Sequence, residues 1–399
     1  MAATTPLAAQ QPITRAQAVA AALARGARAA LGRADTAAAA GVLRGAGLYP
    51  NPLVSATYTK DVPHYHVVAD VPLDLPWLRS ARIGAAAAAR DAARFGFAFE
   101  RAVIRFDVDT MYTRALAALA HARLSRHNAG AADSLLKMAQ LRREVGDVSE
   151  LDVRLAAVNA GQLENVAVDD SLAAVEAALA VQLAIGLPAE QVTIVLADSL
   201  APPVPPAPPT PPAPPSSSDS VAPAAGEPLP VAAAAASLRS AERALTLAHR
   251  SVFAAPSFQV GVEQGDPAQR GALPTVGFSL PLPLFNWNGG EVAQAAAARD
   301  RARASLELVR RETAAELARA QRSFAAAVVR FERDRRLLAS ADRVAAMSLE
   351  AYTEGAVALP SVLEAQRNAR EALGRYIDDL AAANTAAAAV RLVTASEQP

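Results

Sequence analysis

Apolar and polar positions alternate with period two in four short runs of the chain. In YHVVADVPLDL, Tyr65, Val67, Ala69, Val71, Leu73 and Leu75 are apolar, while His66, Asp70 and Asp74 are polar and Val68 breaks the pattern. In PTVGFSLPLPL, Val276, Phe278, Leu280, Leu282 and Leu284 are apolar, and Thr275, Gly277 and Ser279 are polar or small. The runs LVSATYT from Leu53 and FQVGVEQ from Phe258 precede them, with tips at KDVPH from Lys60 and GDPAQRG from Gly265. The pattern predicts two strand pairs, 53–75 and 258–284, each with one apolar and one polar face. Long helical patterns follow both pairs. From Glu291 to Glu354 there is no Gly and no Pro. A helix of that length spans roughly 100 Å, against a mean of about a dozen residues in globular proteins. Its counterpart runs from about Trp77 to Val145. Each ends at a Gly-containing turn, at Gly146 and Gly355, and a returning helix follows, about Ser149 to Ile185 and Leu359 to Leu392. Shorter helices precede the strand pairs, about Arg15 to Gly45 and Val231 to Phe253.

The two halves of the chain repeat one plan. Gly146 and Gly355 set an offset of 209 positions (355 minus 146). At that offset Pro72 falls on Pro281, Leu75 on Leu284, Arg90 and Asp91 on Arg299 and Asp300, Asp133 on Asp342, and Met138 on Met347. Ala matches carry little weight in an Ala-rich chain, but Pro, Asp, Met and Gly at one constant offset read as a duplication. The expected organisation is a first repeat over 1–200 with a helical hairpin over 77–185. A Pro-rich linker over 201–230 and a second repeat over 231–399 with a hairpin over 290–392 follow. Pro lacks an N–H and fixes φ, so the linker reads as an extended spacer. Four strands per chain cannot close a barrel. Two architectures follow: hairpins capping a helical domain, or a barrel shared between chains, apolar outside and polar inside.

Composition narrows the chemistry. Apolar residues are 52% of the chain, mostly Ala, and aromatics only 5%, which favours long helices in close contact over a large conventional core. The formal net charge is zero, so nothing argues for nucleic acid as a partner. There is no Cys, hence no disulfide, thiolate metal site or lipidated Cys. The first residues lack a basic stretch followed by a long apolar run, so no signal peptide is legible in them. No long charge-free apolar run predicts a membrane-spanning helix. No nucleophile elbow, phosphate loop, zinc-protease or dinucleotide motif is present, and we expect neither an enzyme nor a cofactor. His64 and His66 fall on one strand face at a loop tip but lack further nearby ligands, so no metal site is expected. Asp74, on the polar strand face, is expected to line a lumen.

Three motifs carry a family resemblance: PLPLFNWNGGEVAQA from Pro281, YTEGAVALPSVLEAQR from Tyr352, and REVGDVSELDVRLA from Arg143. Through them the chain resembles the TolC family of outer-membrane efflux proteins, and within it the CzcC-like cation-efflux branch, over about Gln17 to Leu392 without the linker. The resemblance implies a mainly α fold with a small β part. Long helical hairpins would form a tunnel, and four strands per chain would join a twelve-stranded barrel in a homotrimer. It also implies a place in the bacterial outer membrane with a periplasmic extension. The function implied is passive conduction of substrates received from a periplasmic adaptor and an inner-membrane pump of RND type. Outer-membrane lipid would surround the barrel. Val145, Gly146, Asp147, Val148 and Ser149, with Gly355, Ala356, Val357 and Ala358, match the adaptor-binding tip. Asp152, Tyr352 and Glu364 match the periplasmic aperture. Asp152 and Tyr352 resemble positions that link neighbouring helices in the closed state, and Glu364 resembles an acidic ring at the constriction. One departure matters. The drug-efflux pattern has an Arg just after the Gly of the second turn, where this chain has Ala356, Val357 and Ala358, so closure must rest on other contacts. The alternative is a trimeric coiled coil with a structural or adhesive role, which would have no need of four amphipathic strands.

Overall fold

The computed structural model describes residues 11–204, 226–252, 255–268 and 271–396. Most of the Pro-rich linker and part of the GDPAQRG tip lie outside the described residues. In chain order the elements are β1 (Gln11–Ile13), α1 (Arg15–Arg25), α2 (Ala27–Gly47), β2 (Leu53–Tyr58), β3 (Tyr65–Pro72), α3 (Pro76–Glu144) and α4 (Glu150–Ala184). Then come β4 (Ile194–Leu196), α5 (Leu229–Arg250), β5 (Ser257–Gln264), β6 (Leu273–Ser279), α6 (Gly289–Thr353) and α7 (Leu359–Thr394). The order helix, strand pair, long helix, returning helix therefore occurs twice. The chain separates into two compact units, and α3 and α6 each contribute residues to both.

The first unit comprises Met1–Leu31, Glu100–Ser216 and Ala314–Ser396. Ala18, Ala22 and Ala29 pack against Ile104, Val108, Tyr112, Val181 and Ile185, small side chains allowing close approach of the helix axes. The sequence pattern predicts one helix from Arg15 to Gly45, but the structure breaks it at Gly26. There ψ turns to 142°, and a Cβ on Gly26 would stand 2.4 Å from the Ala22 carbonyl oxygen. A parallel pair, β1 with β4, was not legible from alternation because each strand has only three residues. One long-range and three local hydrogen bonds hold this region. The Tyr112 hydroxyl donates to the Ile13 carbonyl at 2.8 Å, and the buried Gln182 amide bonds Pro188, Gln191 and Thr193.

The second unit comprises Gly32–Phe99, Ser217–Thr313 and Glu397–Pro399. Its sheet has the order β2-β3-β5-β6, antiparallel throughout. The strand pairs of the two repeats meet at β3 and β5, while β2 and β6 are its edges. The ladder is shorter than the alternation suggests. β6 ends at Ser279, leaving Leu280, Leu282 and Leu284 beyond it, because Pro281 and Pro283 offer no N–H to a partner.

Asp74 corrects an expectation. Its carboxylate is only 2% exposed and lies 2.8 Å from Arg82 and 3.6 Å from Arg79. The same two arginines donate to the carbonyls of Ala46, Gly47 and Leu48 at the end of α2, and Arg79 stacks over Tyr49 at 4.2 Å. Asp74 anchors the entry into α3 and does not line a lumen.

Candidate functional site

Two features concentrate functional potential: the paired helical turns of the first unit and the two-faced sheet of the second.

The turns are built alike. At the end of α3, the Gly146 N–H bonds the Arg143 carbonyl at 3.0 Å and the Asp147 N–H bonds the Arg142 carbonyl at 2.8 Å. At the end of α6, Gly355 bonds Tyr352 at 3.0 Å and Ala356 bonds Ala351 at 2.8 Å. Both are Schellman turns, which place the C′ residue in the left-handed region. Gly146 has φ +82° and Gly355 φ +78°, so glycine is needed at both. The returning helices start differently. Ser149 and Asp152 form a capping box on α4, which satisfies orphan N–H groups reciprocally. Ala358 caps α7 without a side-chain bond, and Pro360 occupies its first turn.

The turns touch through an apolar cluster of Leu135, Ala139, Ala156, Tyr352, Leu359 and Val362, flanked by Val153 and Val357. Leu141, Val145 and Leu151 stay exposed around the first turn, Val145 by 73%. Of the residues matched to the tip, Val148 and Val357 are half-buried, and Gly146, Asp147, Ser149, Gly355, Ala356 and Ala358 are exposed.

The aperture candidates are placed unequally. Tyr352 is 2% exposed, and its hydroxyl is buried without a hydrogen-bond partner. Burial pushes that hydroxyl above the ordinary phenol range; the nearby Arg142 opposes the shift and Asp152 adds to it. Asp152 gives its carboxylate to the backbone and hydroxyl of Ser149 at 3.1 and 2.8 Å, so within the chain it does not bond Tyr352. Glu364 is exposed and forms no ion pair among the described residues. The neighbouring Arg367 turns to Glu371 at 3.7 Å, and Arg370 is half-buried, its burial lowering the guanidinium pKa.

Sequence reasoning missed Arg142. Its guanidinium stacks on the Tyr352 ring at 4.9 Å and donates to the Tyr352 carbonyl at 2.6 Å. One signal was available: α3 has Arg142 and Arg143 in its last turn, whereas α6 has no basic residue there.

The sheet sorts most of its side chains by face, with Leu53, Val68 and Leu273 apolar residues on the polar side and Gln264 a polar one on the apolar side. The register aligns Val54, Ala69, Val260 and Val276 across the strands, and likewise Ala56, Val67 and Val262, then Val71, Phe258 and Phe278. Tyr58 stands opposite Tyr65 at one end. The large residues of this face are all solvent-exposed. The opposite face aligns Thr57, His66 and Glu263, and Asp70, Gln259 and Gly277. Gln259 donates to Asp70 at 3.0 Å, and the His66 ring lies 3.4 Å from Glu263 and 3.2 Å from Thr59. His64 precedes β3, and its Nδ1 faces the Thr59 carbonyl at 3.2 Å. Among the described residues no group of three or more His, Cys, Asp or Glu side chains is arranged for a metal. Nor is any described helix long and apolar enough to cross a membrane.

The arrangement of these elements is similar to that of several solved structures. A membrane protein from Pseudomonas aeruginosa is 18% identical with a TM-score of 0.80, the match covering 96% of this chain and 93% of that one. The outer membrane protein VceC from Vibrio cholerae is 15% identical with a TM-score of 0.75, covering 96% of each chain. The CmeC outer membrane channel of Campylobacter jejuni is 14% identical with a TM-score of 0.76, covering 95% and 85%. The fold is that of the TolC family. No protein-family model and no curated protein matches the sequence. A TolC-type fold accounts at once for the duplicated plan, the long helical hairpins and the small sheet, while the CzcC-like branch is not distinguished by these likenesses.

Proposed function

We propose that this chain is one protomer of a trimeric outer-membrane exit duct, which passively conducts substrates delivered by an inner-membrane pump through a periplasmic adaptor. The observation that carries the reading is the sheet. Its apolar face is exposed across all four strands, and among the described residues its edges β2 and β6 each lack a second neighbour. Such an edge is stable in lipid only when another strand pairs with it. Rotational copies of the chain supply that partner and close the barrel. The polar face, with Asp70, His66, Glu263 and Gln259, then lines the lumen. The central strands β3 and β5 have eight residues each, roughly 26 Å at about 3.3 Å per residue, while the edge strands β2 and β6 have six and seven.

In this reading the two repeats over 1–200 and 231–399 are equivalent building blocks. The turns 145–149 and 355–358 receive the adaptor, and Asp152, Tyr352 and Glu364 lie at the aperture. Fold likeness to outer-membrane channels supports the location. The adhesive alternative leaves the apolar sheet face without a purpose. Negative-stain microscopy of detergent-purified protein tests the proposal. A hollow trimeric cylinder on the order of 100 Å long or more is expected from the helix lengths, and a compact monomer overturns it.

A further inference from the structure

Helices α3 and α6 end side by side in the same unit, and their last turns are electrostatically unequal. α3 carries Arg142 and Arg143 there, and α6 carries no basic residue. At the repeat offset Arg142 corresponds to Ala351, and Arg143 to Tyr352. The carbonyl end of a helix carries partial negative charge and favours a cation. For α6 that cation comes from the other hairpin, because Arg142 reaches the Tyr352 carbonyl at 2.6 Å. That carbonyl already accepts the Gly355 N–H at 3.0 Å, so Arg142 binds to the Schellman turn itself. Its guanidinium also covers the Tyr352 ring. A planar donor suits both contacts, which an ammonium group would not reproduce together. The arginine is in turn placed by its own backbone, whose carbonyl closes the first turn through Asp147. One residue thus ties the end of one hairpin to the end of the other.

We propose that Arg142 is the latch of the paired turns: a positioning residue that holds the α6–α7 turn against the α3–α4 turn and keeps this end of the bundle narrow. The inference rests on the duct reading for its consequence, but not for its geometry. It supplies the closing contact that the second turn, with Ala356, Val357 and Ala358, does not provide. It also predicts sensitivity to docking. The open side of Gly355 faces the guanidinium, and a Cβ there would stand 3.7 Å from its Nη2. A partner seated on the second turn therefore presses on the latch.

The latch uses the ring face and the backbone carbonyl of Tyr352, not its hydroxyl. This separates it from a gate built on a bond between Tyr352 and Asp152. The chain has no Cys, so spin labels at Leu141→Cys and Glu350→Cys in the full-length assembled protein report the separation of α3 and α6 directly. Arg142→Ala is expected to lengthen and broaden the distance distribution, Arg142→Lys to do so partly, and Tyr352→Phe to leave it unchanged. In planar bilayers Arg142→Ala should raise resting open time roughly tenfold, the scale set by one charge-assisted hydrogen bond with a stacked ring. An unchanged distribution in both arginine variants, or widening by Tyr352→Phe alone, overturns the latch. Widening in Arg142→Ala while no form of the protein conducts supports the latch and overturns the duct.

Discussion

Arginine at Val260 tests which face of the sheet meets lipid. Val260 is the fourth residue of the eight-residue strand β5 and is exposed by 45%. It is flanked on its own face by Ala69 of β3 and Val276 of β6. If that face meets lipid, Val260 lies near the midplane of the apolar band. An arginine there costs about 2–4 kcal/mol per chain, with no acidic side chain among its directly paired neighbours to offset it. In a trimer the cost is incurred three times. The neighbouring position is the control. Gln259 points to the opposite face and donates to Asp70 at 3.0 Å, so Gln259→Arg gains a carboxylate partner and should insert normally. The assay is insertion into liposomes followed by resistance of the trimer to dissociation in detergent as temperature rises. Val260→Arg should assemble poorly and melt well below the parent, with Gln259→Arg close to it. Normal insertion of Val260→Arg together with failure of Gln259→Arg would refute the assignment of faces, and with it the barrel.

Other outcomes follow from single groups. Asp74→Ala leaves Arg79 and Arg82 beside an emptied, buried site and should destabilise the second unit by about 3 kcal/mol, the low end for breaking a buried pair because both arginines are partly solvated; thermal unfolding reads it, and an unchanged transition would show that the α2 carbonyls suffice as partners. Gly355→Trp places a bulky side chain at φ +78° on the exposed second turn and should abolish efflux in cells while leaving trimers intact by size; loss of trimers would make the glycine structural only. Glu364→Gln should lower cation selectivity in planar bilayers, since rings of carboxylates favour cations; unchanged reversal potentials would place Glu364 outside the lumen.

Much of the architecture was written in the chain. The absence of Gly and Pro from Glu291 to Glu354 dictated a long helix because nothing in that stretch interrupts i→i+4 bonding, and α6 occupies Gly289–Thr353. Gly146 and Gly355 announced their turns because only glycine adopts the left-handed conformation without penalty. Alternation predicted strands and their faces because side chains on a pleated strand have period two. These are local rules, and local sequence suffices for them. What joins distant parts of the chain was not legible. The pairing of β3 with β5 joins segments nearly half the chain apart, and hydropathy is the same whichever strand lies alongside. Asp74 looked like a polar strand residue until Arg79 and Arg82 enclosed it. Arg142 looked like one more charge on a helix surface; only the packing of α3 beside α6 set it on Tyr352, 210 positions away. Backbone preference acts over a few residues, whereas a side chain's partner is chosen by whatever the folded chain brings within a few ångströms.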